Sequence, residues 1–126
     1  MFGPMGASLA PYIQSSKTLS RWVTPIATWY ANAAGYRKYG FKYDDLLVEE
    51  NEPVQRALKR LTNAEQYDRA YRLKRASQAS VLHHPLPKEQ WITPAEDVRY
   101  LKPHVESVHR EEVERAKWDN LVVERK

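Results

Sequence analysis

Apolar residues recur along this chain at spacings of three and four in several separate stretches, which predicts helices; alternation of period two is poor throughout, so strands are not expected. Over about 18–34, Leu19, Trp22, Val23, Ile26, Ala27, Trp29 and Tyr30 make one amphipathic face, bent near Pro25 and ended at Gly35. Pro53 at a first helical position opens a second helix carrying Val54, Ala57, Leu58 and Leu61 on one side and Arg56, Lys59 and Arg60 on the other. Thr62 and Glu65 form a T-x-x-E capping box that starts a third over about 63–82. Its expected face is Tyr67, Ala70, Tyr71, Lys74, Gln78 and Val81, with Glu65/Arg69 and Asp68/Arg72 paired four apart. Thr93, Pro94 and Glu96 repeat the cap signal and predict a further helix start, and Pro103 permits a last helix over about 104–119. That last segment is so charged that only Val105, Val108, Val113, Ala116 and Trp118 offer apolar contact.

Breakers set the organisation. Gly3, Pro4, Gly6 and Pro11 make residues 1–17 an irregular arm with at most one short helical piece, followed by a single helical domain over 18–126. The expected class is all-α and extended. A chain of 126 residues with a mean hydropathy of −0.73 and two Phe buries a thin core, and partners are expected to complete the fold. The longest internal run without a formal charge, residues 22–36, is shorter than the roughly 20 apolar residues a spanning helix needs. No transmembrane helix is expected.

Charge is uneven. Up to position 43 the charged residues are Lys17, Arg21, Arg37, Lys38 and Lys42, and the first acid is Asp44. An acid-free start with scattered serines and cations has the composition of a mitochondrial presequence. Tyr36, Tyr39, Phe41 and Tyr43 interleave with Arg37, Lys38 and Lys42, a pattern that serves stacking on bases or docking on protein. Docking is preferred, because Asp44, Asp45, Glu49, Glu50 and Glu52 follow at once and repel phosphate. The candidate partner contacts are Trp22, Tyr36, Arg37, Lys38, Phe41, Tyr43, Asp44, Asp45 and Trp91.

Candidate chemistry is sparse. With no cysteine, thiolate catalysis, disulfides and Cys-based metal sites are excluded. His83 and His84 are adjacent, so on a helix they diverge by about 100° and do not face one ion. Paired acids lack an accompanying nucleophile, and four scattered glycines make no phosphate loop. No catalytic, cofactor-binding or metal-binding residue is assigned. The stretch LHHPLPKEQW at 82–91 reads as a turn between helices, its path fixed by Pro85 and Pro87, with Trp91 as an apolar anchor against a neighbour.

The blocks AGYRKYGFKYDDLLVEEN, ALKRL, YDRAYRLKRASQ, LPKEQW and EDVRYLKP resemble, in order and spacing, the small matrix-side subunit of the mitochondrial cytochrome bc1 complex (respiratory complex III). That subunit family is called subunit 7 in fungi and the cytochrome b-binding or ubiquinone-binding protein in animals, and the VEEN segment and long amino-terminal arm are similar to the fungal form. The resemblance implies a non-catalytic subunit peripheral to the inner membrane on the matrix side, against cytochrome b and the core subunits of a dimeric complex, without nucleic acid. It implies that haems, the iron–sulfur cluster and ubiquinone sit in neighbouring chains. It further implies closeness to the quinone-reduction site, with Glu50 as the candidate proton-relay carboxylate; a salt-bridged surface role for Glu50 is the alternative. A small basic mitochondrial RNA- or ribosome-associated protein is the alternative reading of the whole chain.

Overall fold

The computed structural model describes residues 2–3, 6–7 and 9–121. Among the described residues five α-helices follow one another: α1 (Ala10–Ser15), α2 (Lys17–Ala33), α3 (Glu52–Leu58), α4 (Asn63–Val81) and α5 (Lys102–Asp119). Single 3-10 turns stand at Tyr36–Tyr39, Tyr43–Leu46 and Lys88–Gln90. The fold is all-α, with one departure: in the arm Phe2 pairs with Ala7 and Gly3 with Gly6 in a two-residue antiparallel ladder. Positions 1, 4, 5 and 8 of the expected arm, and 122–126 of the expected domain, lie outside the described residues.

Breakers act where the sequence places them. Pro25 sits inside α2, and Gly35 follows it in the left-handed region at φ 75°, a conformation that costs glycine nothing. The capping box of α4 is formed: Thr62 N–H and its hydroxyl donate to Glu65 Oε2 at 2.9 and 2.8 Å. Its far end answers the question of the paired histidines. His83 N–H donates to Ser80 O and His84 N–H to Ala79 O, at 3.1 and 3.2 Å, with His83 at φ 55°. These are the two bonds of a Schellman cap with histidine in the usual glycine position, after which Pro85 bars further helix. The pair matters for its backbone.

The core is as thin as the composition implies. Val54, Ala57 and Leu61 pack against Leu101, Val105 and Val108, so α3 and α5 share one small apolar seam edged by Leu47, Leu58 and Tyr100. Val113 and Trp118 remain exposed. Over this seam Arg60 forms a bidentate pair with Glu111 at 2.6 and 2.7 Å, and Arg56 reaches Glu112 at 3.0 Å. Being solvent-screened, such exposed pairs add little to stability.

Two expectations are corrected. The inner face of α4 is not Tyr67, Ala70, Tyr71, Lys74, Gln78 and Val81; Tyr67, Tyr71 and Val81 are exposed, and the buried residues are Arg69, Arg72, Ala76 and Ala79. Rather than pairing with Glu65 and Asp68, Arg69 and Arg72 turn inward to Asp45, so buried charge rather than apolar periodicity orients this helix. Thr93 does not start a helix. Its box bonds to Glu96 exist, at 2.9 and 2.8 Å, yet only a turn follows. The reason is tertiary: Asp97, Arg99 and Tyr100 each serve a different partner in the 36–45 segment, and side chains so dispersed require a non-helical backbone.

Candidate functional site: a carboxylate clasp

Three aspartates fasten the aromatic-basic segment to the strand-like stretch before α5. Asp44 is fully buried. Its Oδ2 accepts from the backbone N–H groups of Leu101 and Lys102 at 2.9 and 3.1 Å, and its Oδ1 accepts from Arg99 Nε. The N-cap of α5, Leu101, makes no side-chain capping bond. Asp44 therefore caps that helix from a distant part of the chain, meeting two otherwise orphaned donors and the positive end of the helix dipole; the next residue, Pro103, has no donor to satisfy.

Asp45 is the centre of a second set. Its Oδ2 accepts from Lys42 N at 2.9 Å and Arg72 Nε at 2.7 Å, and its Oδ1 accepts from Arg72 Nη2 at 2.9 Å, Arg69 Nη1 at 3.2 Å and the Tyr100 hydroxyl at 2.6 Å. Burial alone would raise the Asp45 carboxyl, but the bonds from Arg72, Tyr100 and the Lys42 amide overcome it and hold it below the usual carboxylate range. Tyr100 is pushed up to about 12, by burial first and then by the Asp45 carboxylate. Arg69 Nη2 also reaches Glu49 Oε1 at 2.5 Å.

Asp97 completes the clasp from the other side. Its Oδ2 accepts from the Tyr36 hydroxyl at 2.5 Å and from Arg37 Nε and Nη2 at 2.9 and 2.8 Å, while Oδ1 accepts from Tyr43 N at 2.8 Å. Here too burial pulls upward and the Tyr36, Tyr43 and Arg37 donors win, so Asp97 lies below its ordinary range. Tyr36 is raised to about 12 by burial and by Asp97. Arg37 Nη1 donates to Asn32 Oδ1 at 2.8 Å, tying the clasp to the end of α2.

The candidates from the sequence thus divide. Tyr36, Asp44 and Asp45 are buried within the chain and spent on its own groups. Arg37 serves Asp97. Phe41 is half-buried, and Tyr43 and Trp22 are exposed. Trp91 donates its indole N–H to Leu86 O at 2.6 Å, and Lys38 Nζ lies 5.7 Å from its ring centre, so Trp91 anchors its own loop. That loop is joined to the aromatic-basic segment through Leu86 N–H to Lys38 O and Ile92 N–H to Arg37 O, at 3.1 and 3.2 Å. Glu50 is exposed, one position from the arginine-bound Glu49. Arg69, Arg72, Asp97, Arg99 and Tyr100 were missed as site residues. The available signal was the spacing of Arg69 and Arg72 in register with Ala76 and Ala79, small residues that let a helix approach closely.

Chemically, the clasp is saturated. All three aspartates are filled with donors, Asp45 and Asp97 are held below the usual carboxylate range, and Tyr36 and Tyr100 keep their protons near neutral pH, so the arrangement fixes geometry rather than moving protons. Among the described residues no group of three or more His, Asp or Glu is placed to hold a metal ion, and no helix is long and apolar enough to cross a membrane.

Comparison with known proteins places these features in a wider set. The family described as the ubiquinol-cytochrome c reductase complex 14 kDa subunit matches residues 17–116. Cytochrome b-c1 complex subunit 7 of Neurospora crassa is 45% identical over 92% of this chain and 94% of its own length. The Saccharomyces cerevisiae protein of the same description, designated mitochondrial, is 44% identical over 93% and 92%, and the Homo sapiens one 40% identical over 83% and 94%.

Proposed function

The chain belongs to the ubiquinol-cytochrome c reductase 14 kDa subunit family, and from that premise we propose that it is an accessory subunit of the cytochrome b-c1 complex, without a catalytic centre of its own. In this reading it stands at the matrix side of the mitochondrial inner membrane, stabilises cytochrome b during assembly, and contacts the core subunits of a dimeric complex. Haems, the iron–sulfur cluster and ubiquinone are held by the neighbouring chains. The observation that carries it is the match to subunit 7 proteins over nearly the whole chain. The physical picture supports it: a small core, an ionic clasp, and large exposed apolar side chains such as Leu46, Val48 and Trp118 suit a chain whose remaining burial comes from partners.

The test is native electrophoresis of gently solubilised mitochondria. This chain should migrate with cytochrome b, and its deletion should lower the amount of assembled complex. Migration with ribosomal RNA, lost in high salt, would reverse the reading.

Glu50 carries the finer proposal of a proton relay toward the quinone-reduction site. Its exposure beside the Arg69-bound Glu49 supports this, since an exposed carboxylate can exchange protons with bulk water. Glu50→Gln keeps the shape and removes the titrating proton. Turnover normalised to haem b, between about pH 6 and 8, should fall at unchanged complex abundance. Equal profiles would leave Glu50 as a docking residue.

A further inference from the structure

Helix α2 leaves its most apolar stripe uncovered. No residue of α2 is buried, and its main contacts are with α1 and the turn at Tyr36–Tyr39. At about 100° per residue, Leu19, Trp22, Ile26, Trp29 and Tyr30 fall on roughly one third of the circumference. Trp22, Ile26, Trp29 and Tyr30 are 62% to 75% exposed, far beyond what an apolar contact face inside a chain shows. Lys17, Arg21, Thr24 and Thr28 lie on the far side, where the two threonine hydroxyls turn back to Ser20 O and Thr24 O. Leu9 and Ile13 of the α1 region share a cleft with Ser20, Val23, Thr24 and Ala27. That flank is partnered; the stripe is not.

Two observations select what covers it. The first is charge: from residue 9 to 43 the chain carries five cations and no acid, and Lys17 and Arg21, opposite the stripe on a helix about 10 Å thick, stay close to a Debye length from whatever the stripe enters. The second is ring chemistry. Trp22, Trp29 and Tyr30 each join an apolar body to a polar edge, the combination that settles at the boundary between lipid headgroups and acyl chains. Being too short and too polar to span, α2 suits the plane of that boundary. We propose that α2 lies flat on an anionic phospholipid surface, with Trp22, Ile26, Trp29 and Tyr30 inserted and the cationic side turned to water. This goes beyond membership of the complex and applies to the free chain as well.

The full chain is floated with phosphatidylcholine vesicles, with or without phosphatidylglycerol, at low and high salt. It should float with the phosphatidylglycerol vesicles, lose binding as salt rises, and show tryptophan quenching by brominated lipid. The triple variant W22S/I26S/W29S should partition at least about tenfold more weakly, with unchanged circular dichroism because none of the three is buried. Failure to float with phosphatidylglycerol vesicles, or equal partitioning of the variant, overturns the proposal. In mitochondria, a benzophenone amino acid at position 22 or 29 distinguishes the surfaces. Lipid adducts support the assignment, and adducts with protein alone overturn it in favour of a protein neighbour.

Discussion

The Asp44 carboxylate lies 2.9 Å from the amide nitrogen of Leu101, a residue 57 positions later in the chain. A helix start that lacks its own capping side chain is completed from the aromatic-basic segment, so the position of α5 and the path of residues 36–45 are one structural decision.

Asp44→Ala should therefore act first at that helix start. Leaving the buried Leu101 amide unmet, and the part-buried Lys102 amide with it, costs about 1–3 kcal/mol. Hydrogen exchange should quicken at those amides and in the first turn of α5, while the α4 interior keeps its protection. Uniform quickening across all helices would count against a local cap.

Asp45→Asn should cost more. Replacing the carboxylate leaves Arg72 and much of Arg69 buried against a neutral group, and breaking a buried pair costs about 3–5 kcal/mol. Urea unfolding followed by circular dichroism checks this; a loss below about 1 kcal/mol, the range of exposed pairs, would mean that water reaches the clasp.

Acid and base should each open the clasp. Asp45 and Asp97 are depressed in the folded chain, so their contribution is complete above the unfolded carboxylate range, near about 4, and is lost as pH falls through the lower folded values. Tyr36 and Tyr100 are raised from 10.0 to about 12. Their contribution is complete below 10 and disappears as pH climbs through about 12. Thermal melting temperature against pH should show a plateau between these limits, and Tyr100→Phe should flatten part of the alkaline fall.

His83→Gly should raise stability by about 1 kcal/mol, since a left-handed conformation is a strain for histidine and none for glycine. The same variant should leave binding of zinc unchanged. A large loss of stability would assign the imidazole a role the backbone does not explain.

The sequence discloses the helix ends well because caps and breakers are local: Thr62 with Glu65, Gly35, and Pro103 do in the fold what their chemistry dictates. Periodicity also picks out the residues of the α3–α5 seam, Val54, Ala57 and Leu61 on one helix and Val105 and Val108 on the other, but not that the two helices meet. What it conceals is long-range charge. Arg69 and Arg72 look like solvent-facing members of helical pairs, and Asp44 and Asp45 look like surface acids, until Tyr100 and Leu101 are brought beside them. No periodicity registers a partner more than twenty positions away. The Thr93 box shows the converse, a correct local signal overruled by Asp97, Arg99 and Tyr100.

Synthesis on a ribosome delivers Asp44 well before the Leu101 amide that it must meet. Closing a loop of this length costs on the order of 4 kcal/mol in chain entropy, and the Asp44 carboxylate does not repay it until the segment from Arg99 to Lys102 has emerged. The nascent protein can pair Asp45 with Arg69 and Arg72 once α4 has emerged, but holds the Asp44 carboxylate in water until the start of α5 follows. Truncation before α5 should remove the Lys102 amide and the seam partners Val105 and Val108, and so loosen the Asp44 end of the clasp, whereas truncation after Asp119 removes none of the residues that form it.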